Sequence, residues 1–303
     1  MLYIVNDNLN PHFNLALEEY LLRGLKKPAI MLWRNSKSVI IGCNQNASME
    51  VNEKYAIENN IAVARRLSGG AVFHDEGNVN YTIISNNTNA VGDYEAFTSD
   101  LRDFLSNFGI VSTLSGRNDI LVNNRKICGN AQGIKNNMII HHGCILYSTD
   151  IKSLSNVLQV NELKYQYKGI KSVKSRVSNL IDLIENKPSS SEFMNMFKND
   201  LIKKHHLEEY HLTNKDIAEI NKLVIEKYGT YEWIYGASPK YNFKNTAKTN
   251  AGVIEIYLDV SNGIIEKAKI FGDFFSISPI IDLENSLLGL KHNRNELLKL
   301  NLN

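Results

Sequence analysis

The sequence predicts an α+β protein, one large mixed domain followed by a small α+β module. Three observations carry this. Tyr94–Phe108 sets Phe97, Leu101, Phe104, Leu105 and Phe108 at helical spacing. Short apolar or alternating runs bounded by turn residues, such as "SVIIGC", "NYTIIS" and "DILVNNRKICGNAQ", read as strands interspersed with such helices. From Ala251 the pattern changes to two alternating strands about an Asn-Gly turn, "GVIEIYLDVSNGIIEKAKIFGD". A length of 303 residues accommodates one large domain or two unequal ones.

Taken in order, Leu15–Leu25 reads as an amphipathic helix after Asn14, with Leu15, Tyr20, Leu22 and Leu25 on its apolar stripe. "AIMLWR" and "SVIIGC" are strands, "NEKYAIENN" is helical, and "IAVARR" is a strand delivering the chain into the loop "LSGGAVFHDEGN". "NYTIIS" follows as a strand, and Gly109 caps the helix that ends near Phe108. "DILVNNRKICGNAQ" is two strands about an Asn-Asn turn, with "MIIHHGCILYS" as a longer partner. Helices are expected near residues 192–206 and 214–228, the second started by Thr213 and stopped by Gly229. The polar stretch "SPKYNFKNTAKTN" supplies the linker, placed at residues 241–248, between a domain of residues 1–240 and a module of residues 249–303. Short helical periodicities close the module near Ile280 and Glu296.

Lys+Arg 34 against Asp+Glu 32 gives a net charge of +2, not the basic excess of a protein that grips phosphodiester backbones. No nucleic-acid partner is expected. Cys43, Cys128 and Cys144 form neither a C-x-x-C pair nor an even set, so a disulfide framework and a zinc site are both unsupported and a reducing cytoplasm fits. The N-terminus lacks a basic region followed by a continuous apolar one, and no stretch is long enough to span a bilayer. No membrane partner is expected.

Four segments concentrate chemistry. In "RRLSGGAVFHDEGN", Gly69 and Gly70 let a ligand approach bare backbone N–H groups, and Arg66 rather than Arg65 is placed to enter a pocket with them, because neighbours on a strand point to opposite faces. The loop precedes a strand, so it is neither a P-loop nor a dinucleotide fingerprint. In "SGRNDILVNNRKICGNAQ", Lys126 is a movable cation that can neutralise charge shared between an acyl carboxylate and a phosphate, while Asn118 and Asp119 suit a nucleotide phosphate or its Mg²⁺. In "HHG", alternation sends one of His141 and His142 inward and the other outward. In "YQYKGIKSVKSRVSNL", Lys168, Lys171, Lys174 and Arg176 can close over an anion or form a solvated face.

Together, in this order, "RRLSGGAVFHDEGN", "GRNDILVNNRKICGNAQ", "HHGCILY" and "KGIKSVKSRVSNL" resemble the lipoate-protein ligase family, and the similarity extends from "NLALEEYLL" and "LWRNSKSVIIGCNQN" to the C-terminal module. The resemblance implies a mixed-sheet catalytic domain of the biotin/lipoate ligase and class II aminoacyl-tRNA synthetase type, plus a small accessory domain. It implies a two-step reaction in which lipoate and ATP, with Mg²⁺, give lipoyl-AMP, and a carrier-domain lysine then takes the lipoyl group. The carrier is the lipoyl domain of a 2-oxoacid dehydrogenase E2 or the glycine cleavage H protein. By the same resemblance, Arg66, Ser68, Gly69, Gly70, Ala71, Val72, Phe73, His74, Lys126 and His142 bind lipoate or its adenylate. Arg66, Gly70, Ala71, Val72, Phe73, Asn78, Asn118, Asp119 and Lys126 bind ATP, Lys126 is the catalytic residue, Asp119 takes the metal, and Lys168 to Arg176 order over the adenylate. Val72 and Phe73 suit an apolar acyl tail, whose burial contributes ~0.8 kcal/mol per CH₂. The family loop usually has three glycines before Ala-Val; here only Gly69 and Gly70 follow Ser68.

Two rivals share this reading. An ATP-independent octanoyl or lipoyl transferase of the same fold needs a nucleophilic cysteine just ahead of "NDILV", and Phe108–Asp119 has none. Cys128 and Cys144 sit among apolar neighbours, where an inert thiol is expected. A non-catalytic binder of lipoylated carrier domains is the other, with the shortened loop as its mark.

Overall fold

A computed structural model describes residues 1–45, 47–69, 73–75, 77–115, 118–150, 156–158, 177–235, 243–249, 252–274, 276, 278–292 and 294–297. Strands β1 (Leu2–Val5), β2 (Ala29–Trp33), β6 (Val79–Ser85), β7 (Thr113–Ser115), β8 (Asp119–Val122), β9 (Arg125–Lys135), β10 (Met138–Ile145) and β11 (Glu208–His211) make an eight-stranded sheet in the order β11-β1-β2-β6-β10-β9-β8-β7. The sheet is mixed: β1 runs parallel to β2 and β11, and the remaining pairs are antiparallel. Strands β4 (Ala62–Arg65), β3 (Ser38–Ile41) and β5 (Phe73–Asp75) form a small second sheet in that order.

Helices cover both faces of the large sheet. On one face lie α4 (Tyr94–Ser106) and α5 (Ser190–His205), where Leu101, Phe104, Phe193, Phe197 and Leu201 pack on Tyr3, Ile30, Leu32 and Tyr81. The other face packs against α1 (Pro11–Tyr20), its π-helical extension Leu21–Leu25, and α6 (Asn214–Leu223), through Leu15, Leu17, Leu22 and Ile220. Between α1 and α4 in the chain lie two short helices, α2 (Ala47–Glu50) and α3 (Glu53–Glu58); α7 (Tyr231–Ile234) follows α6.

Helix α1 begins a turn before the expected Leu15. Pro11 occupies the first helical position, where no N–H is needed, and Asn10 caps His12 N and Phe13 N. Asn14 is instead a buried tie, donating from Nδ2 to Asn8 O (2.8 Å) and Arg34 O (3.0 Å) and accepting from Asn6 Nδ2 (2.8 Å). The Asn-Asn turn forms as read, with Asn123 and Asn124 at φ 50° and 61°, a backbone that asparagine tolerates well.

The C-terminal module is a three-stranded sheet, β12 (Phe243–Thr249), β13 (Gly252–Ser261) and β14 (Ile264–Gly272), with α8 (Ile280–Leu287) packed on it and α9 (Arg294–Leu297) following. The expected linker at 241–248 is therefore, from Phe243 on, the module's edge strand. Lys244, Asn245, Lys248 and Thr249 are exposed, and polar residues on an edge both deter aggregation and hide the period-2 pattern. The module touches the large domain through a backbone bond from Gly272 N to Asn44 O (2.6 Å).

Candidate active site

An open cavity lies on the α1 side of the large sheet. Apolar lining comes from Leu15, Trp33, Ile40, Ala131 and Leu146, and polar lining from Arg66, Asn80, Asn118, Lys126 and His142, with Cys144 in the wall. An apolar hollow with a few convergent polar groups is what a small-molecule site requires.

Lys126 reaches this cavity because of a bulge. Pairing with β8 runs Ile120 to Cys128 and then Leu121 to Lys126, so Ile127 is an extra residue on β9. Ile127 and Cys128 both enter the core beneath α4, which leaves Lys126 and Gly129 on the opposite, cavity-lining face. Three residues apart on a regular strand, they would face opposite ways. Gly129 has no side chain because the lysine lies over it: a Cβ there would stand 2.6 Å from Lys126 Nζ. The ammonium is held at 2.8 Å by Oδ1 of Asp119, which faces Gly129 across the β8–β9 ladder.

Asn118 and Asn130 clasp one another, Asn118 Nδ2 donating to Asn130 O (2.6 Å) and Asn130 Nδ2 to Asn118 O (2.9 Å). Asn130 is fixed from behind: its Oδ1 accepts from Tyr81 OH and from His141 Nε2 (3.3 Å), while His141 Nδ1 accepts from Gln132 Nε2 (3.0 Å). His141 stacks on Phe97 at 4.9 Å, and burial pulls its pKa down to about 3. Neither histidine points to water, contrary to the expectation of one outward, because helices cover both faces. His141 lies under α4 and His142 lines the cavity.

The two arginines divide as read. Arg65, the last residue of β4, is buried and donates to five backbone carbonyls: Gly42, Cys43 and Gln45 in the loop after β3, and Trp233 and Ile234 in α7. Arg66 lines the cavity, with Nε on Ser68 Oγ (3.2 Å) and Nη2 on Gly69 O (2.9 Å). Burial lowers both guanidinium pKa values to about 10, which leaves them protonated at neutral pH.

The Lipoyl protein ligase A/B catalytic domain family matches residues 10–202, and the Bacterial lipoate protein ligase C-terminus family matches residues 238–301. The chain belongs to the lipoate-protein ligase family. Among its relatives, Lipoate--protein ligase 1 of Staphylococcus aureus is 40% identical over 297 residues, covering 96% of this chain and 90% of that one. Lipoate-protein ligase LplJ of Bacillus subtilis is 39% identical over 302 residues, covering 97% and 91%. The crystal structure of LipL1 of P. falciparum in complex with lipoate superposes with a TM-score of 0.84 at 28% identity, over 99% of this chain and 94% of that one. A lipoate-protein ligase A bound with ATP gives 0.66 at 25% identity, over 78% and 98%.

Of the residues that the family resemblance singles out, Arg66, Asn118, Lys126 and His142 line one cavity. Ser68 and Gly69 bond to those lining residues, and Asp119 to Lys126. Phe73 and His74 lie on β5, paired with Ile40 and Val39. Asn78 is buried away from the lining, where its Oδ1 accepts from Thr149 Oγ1. Gly70, Ala71, Val72, Lys168, Lys171, Lys174 and Arg176 lie outside the described residues; Val177, which follows the last of these, bridges to Lys126 along the backbone. Sequence reasoning missed Trp33 and Asn130, which line the cavity, and Glu18, which contacts the lining residue His142 from behind. Glu18 gives no signal because an acidic residue in a helix reads as its solvent face, and Asn130 reads as an ordinary strand residue.

Proposed function

We propose that this protein activates lipoate with ATP, forming lipoyl-AMP and pyrophosphate, and passes the lipoyl group to a lysine of a carrier domain. The observation that carries this reading is the convergence of Lys126 and Arg66 on one largely apolar cavity. A carboxylate is a poor acyl donor until one of its own oxygens is bonded to phosphorus: that oxygen attacks the α-phosphorus of ATP, pyrophosphate leaves, AMP becomes the group displaced in the second step, and the attack brings two anions together. The Lys126 ammonium, on a flexible stem, balances that charge; Arg66 supplies a second, rigid cation. Asn118 offers its amide beside them.

Magnesium fits this site as an ion carried by the nucleotide. Among the described residues no three His, Cys, Asp or Glu side chains form a cage. Asp119 offers a single carboxylate at the cavity rim, and Mg²⁺ characteristically takes one or two carboxylates together with phosphate oxygens and water. Among the described residues no helix is long and apolar enough to cross a membrane. The free thiols Cys43, Cys128 and Cys144 support a cytoplasmic setting. The partner is the lipoyl domain of a 2-oxoacid dehydrogenase E2 or the glycine cleavage H protein, each of which presents an exposed lysine.

The test is to incubate the protein with lipoate, Mg²⁺-ATP and a carrier domain and to weigh the carrier by mass spectrometry. A lipoyl increment that depends on ATP supports the ligase. An increment obtained only from an acyl-carrier donor supports the transferase, and none at all supports a binder.

A further inference from the structure

Glu18 sits on α1 with no exposure to solvent, between the helix and the large sheet. A carboxylate there is costly, since burying a charge without partners strongly destabilises a fold. One of its two oxygens is well partnered, while Oε2 is buried without a hydrogen-bond partner. Oε1 accepts from Thr82 Oγ1 (2.6 Å) and stands 3.0 Å from His142 Nδ1; Thr82 Oγ1 itself accepts from Trp33 Nε1 (2.9 Å). His142 Nε2 is 2.5 Å from Ser68 Oγ, and Ser68 Oγ accepts from Arg66 Nε (3.2 Å).

The donors along this chain have one consistent direction. A carboxylate oxygen accepts only, so Nδ1 carries the imidazole proton and Nε2 accepts. Ser68 then gives its hydroxyl proton to Nε2, and the oxygen lone pair is left for Arg66. Every proton points toward Glu18: Arg66 to Ser68, Ser68 to His142, His142 to Glu18, with Thr82 and Trp33 arriving from the other side. Arg66 is the member of this hydrogen-bonded series that brings formal positive charge to the cavity wall, where Lys126 also stands.

We infer that Glu18 and His142 are positioning residues for Arg66, acting through Ser68: the buried carboxylate sets the histidine tautomer, the histidine orients the serine hydroxyl, and the serine oxygen fixes the guanidinium plane. Metal sites use the same device when an outer carboxylate fixes the tautomer and orientation of a ligating histidine. The inference rests on the proposed adenylating function for its kinetic consequence but not for its geometry.

Two measurements on the full-length protein separate these. The first follows the Arg66 Nε–H resonance by ¹H–¹⁵N NMR, assigned through an Arg66→Lys sample. It is expected to be slow-exchanging in the parent protein and in Glu18→Gln, whose amide oxygen keeps both acceptor bonds, and to exchange rapidly in Glu18→Met and in Ser68→Ala. The second is lipoate-dependent ATP–pyrophosphate exchange. Glu18→Met and Ser68→Ala should each lower kcat/KM about 10–100-fold, the scale of a lost bond to a charged group. The double variant should lose no more than either alone, because both act through one route. Glu18→Gln should recover most of the rate.

An Arg66 Nε–H that is unaltered in both Glu18→Met and Ser68→Ala overturns the inference, as do fully additive losses in the double variant. Should Glu18→Met fail to fold, Ser68→Ala and His142→Asn carry the same two readouts. Absence of any exchange in the parent protein would sink the functional reading alone and leave the NMR result to decide this one.

Discussion

Lys126 Nζ and Asp119 Oδ1 stand 2.8 Å apart across the β8–β9 pair, at the edge of a cavity whose floor is apolar. The pair is partly exposed, so its contribution to stability is small, about 0–1 kcal/mol. Its value lies in aim. Lys126→Met is expected to leave the thermal melt within a few degrees of the parent and to depress lipoate-dependent pyrophosphate exchange about 10²–10³-fold, the loss seen when one preorganised charge-stabilising donor is removed. Asp119→Asn should keep the fold and cost less, since the lysine stays but is no longer held.

Gly129→Ala tests the same aim without touching a charge. The added Cβ would stand 2.6 Å from Lys126 Nζ and 2.8 Å from its Cε, so the flexible end of the lysine must move. Stability should hardly change, whereas displacement of the reacting group by about 1 Å can cost about 10²-fold. Unaltered exchange kinetics in this variant would place the productive lysine elsewhere.

His141 gives a pH signature. Burial depresses its folded pKa to about 3, against an unfolded value of about 6.5. The unfolded chain therefore binds a proton that the folded protein refuses. The stabilising effect of the neutral ring is complete above about pH 6.5 and is lost progressively as pH falls toward 3. Urea denaturation at several pH values should show His141→Gln with a shallower decline across that window than the parent. Equal slopes would mean that the ring is not the proton acceptor.

Arg65 is expected to matter for stability. Its five carbonyl acceptors join the loop after β3 to the end of α7, and Arg65→Met leaves buried oxygens without their donor. Each such orphan costs on the order of 1–3 kcal/mol, less where water can enter. A loss of about 3 kcal/mol or more in denaturant unfolding is the expected result; a change below about 1 kcal/mol would contradict it.

Much of this was legible beforehand. The spacing of Phe97, Leu101 and Phe104 placed α4, the Asn123-Asn124 pair placed the β8–β9 turn, and strand alternation separated Arg66 from Arg65. What escaped was set by context. β12 and β11 are edge strands made largely of polar residues, so nothing in their composition announces pairing. The start of α1 was hidden because Asn10 and Asn14 are the same residue type, and only tertiary bonds show that one caps while the other ties loops together. Glu18 has no local mark at all, since its role comes from Thr82 and His142, 64 and 124 residues away.

The extra residue at Ile127 makes this hairpin sensitive to length in a way that ordinary strands are not. Ile127 can be exchanged for another aliphatic side chain at modest cost. Removing its codon would restore a regular ladder and invert the side chains on one side of the lost position, driving the ammonium toward the apolar core under α4. Natural variants of this hairpin should therefore differ by substitution and conserve the residue count between Asp119 and Gly129.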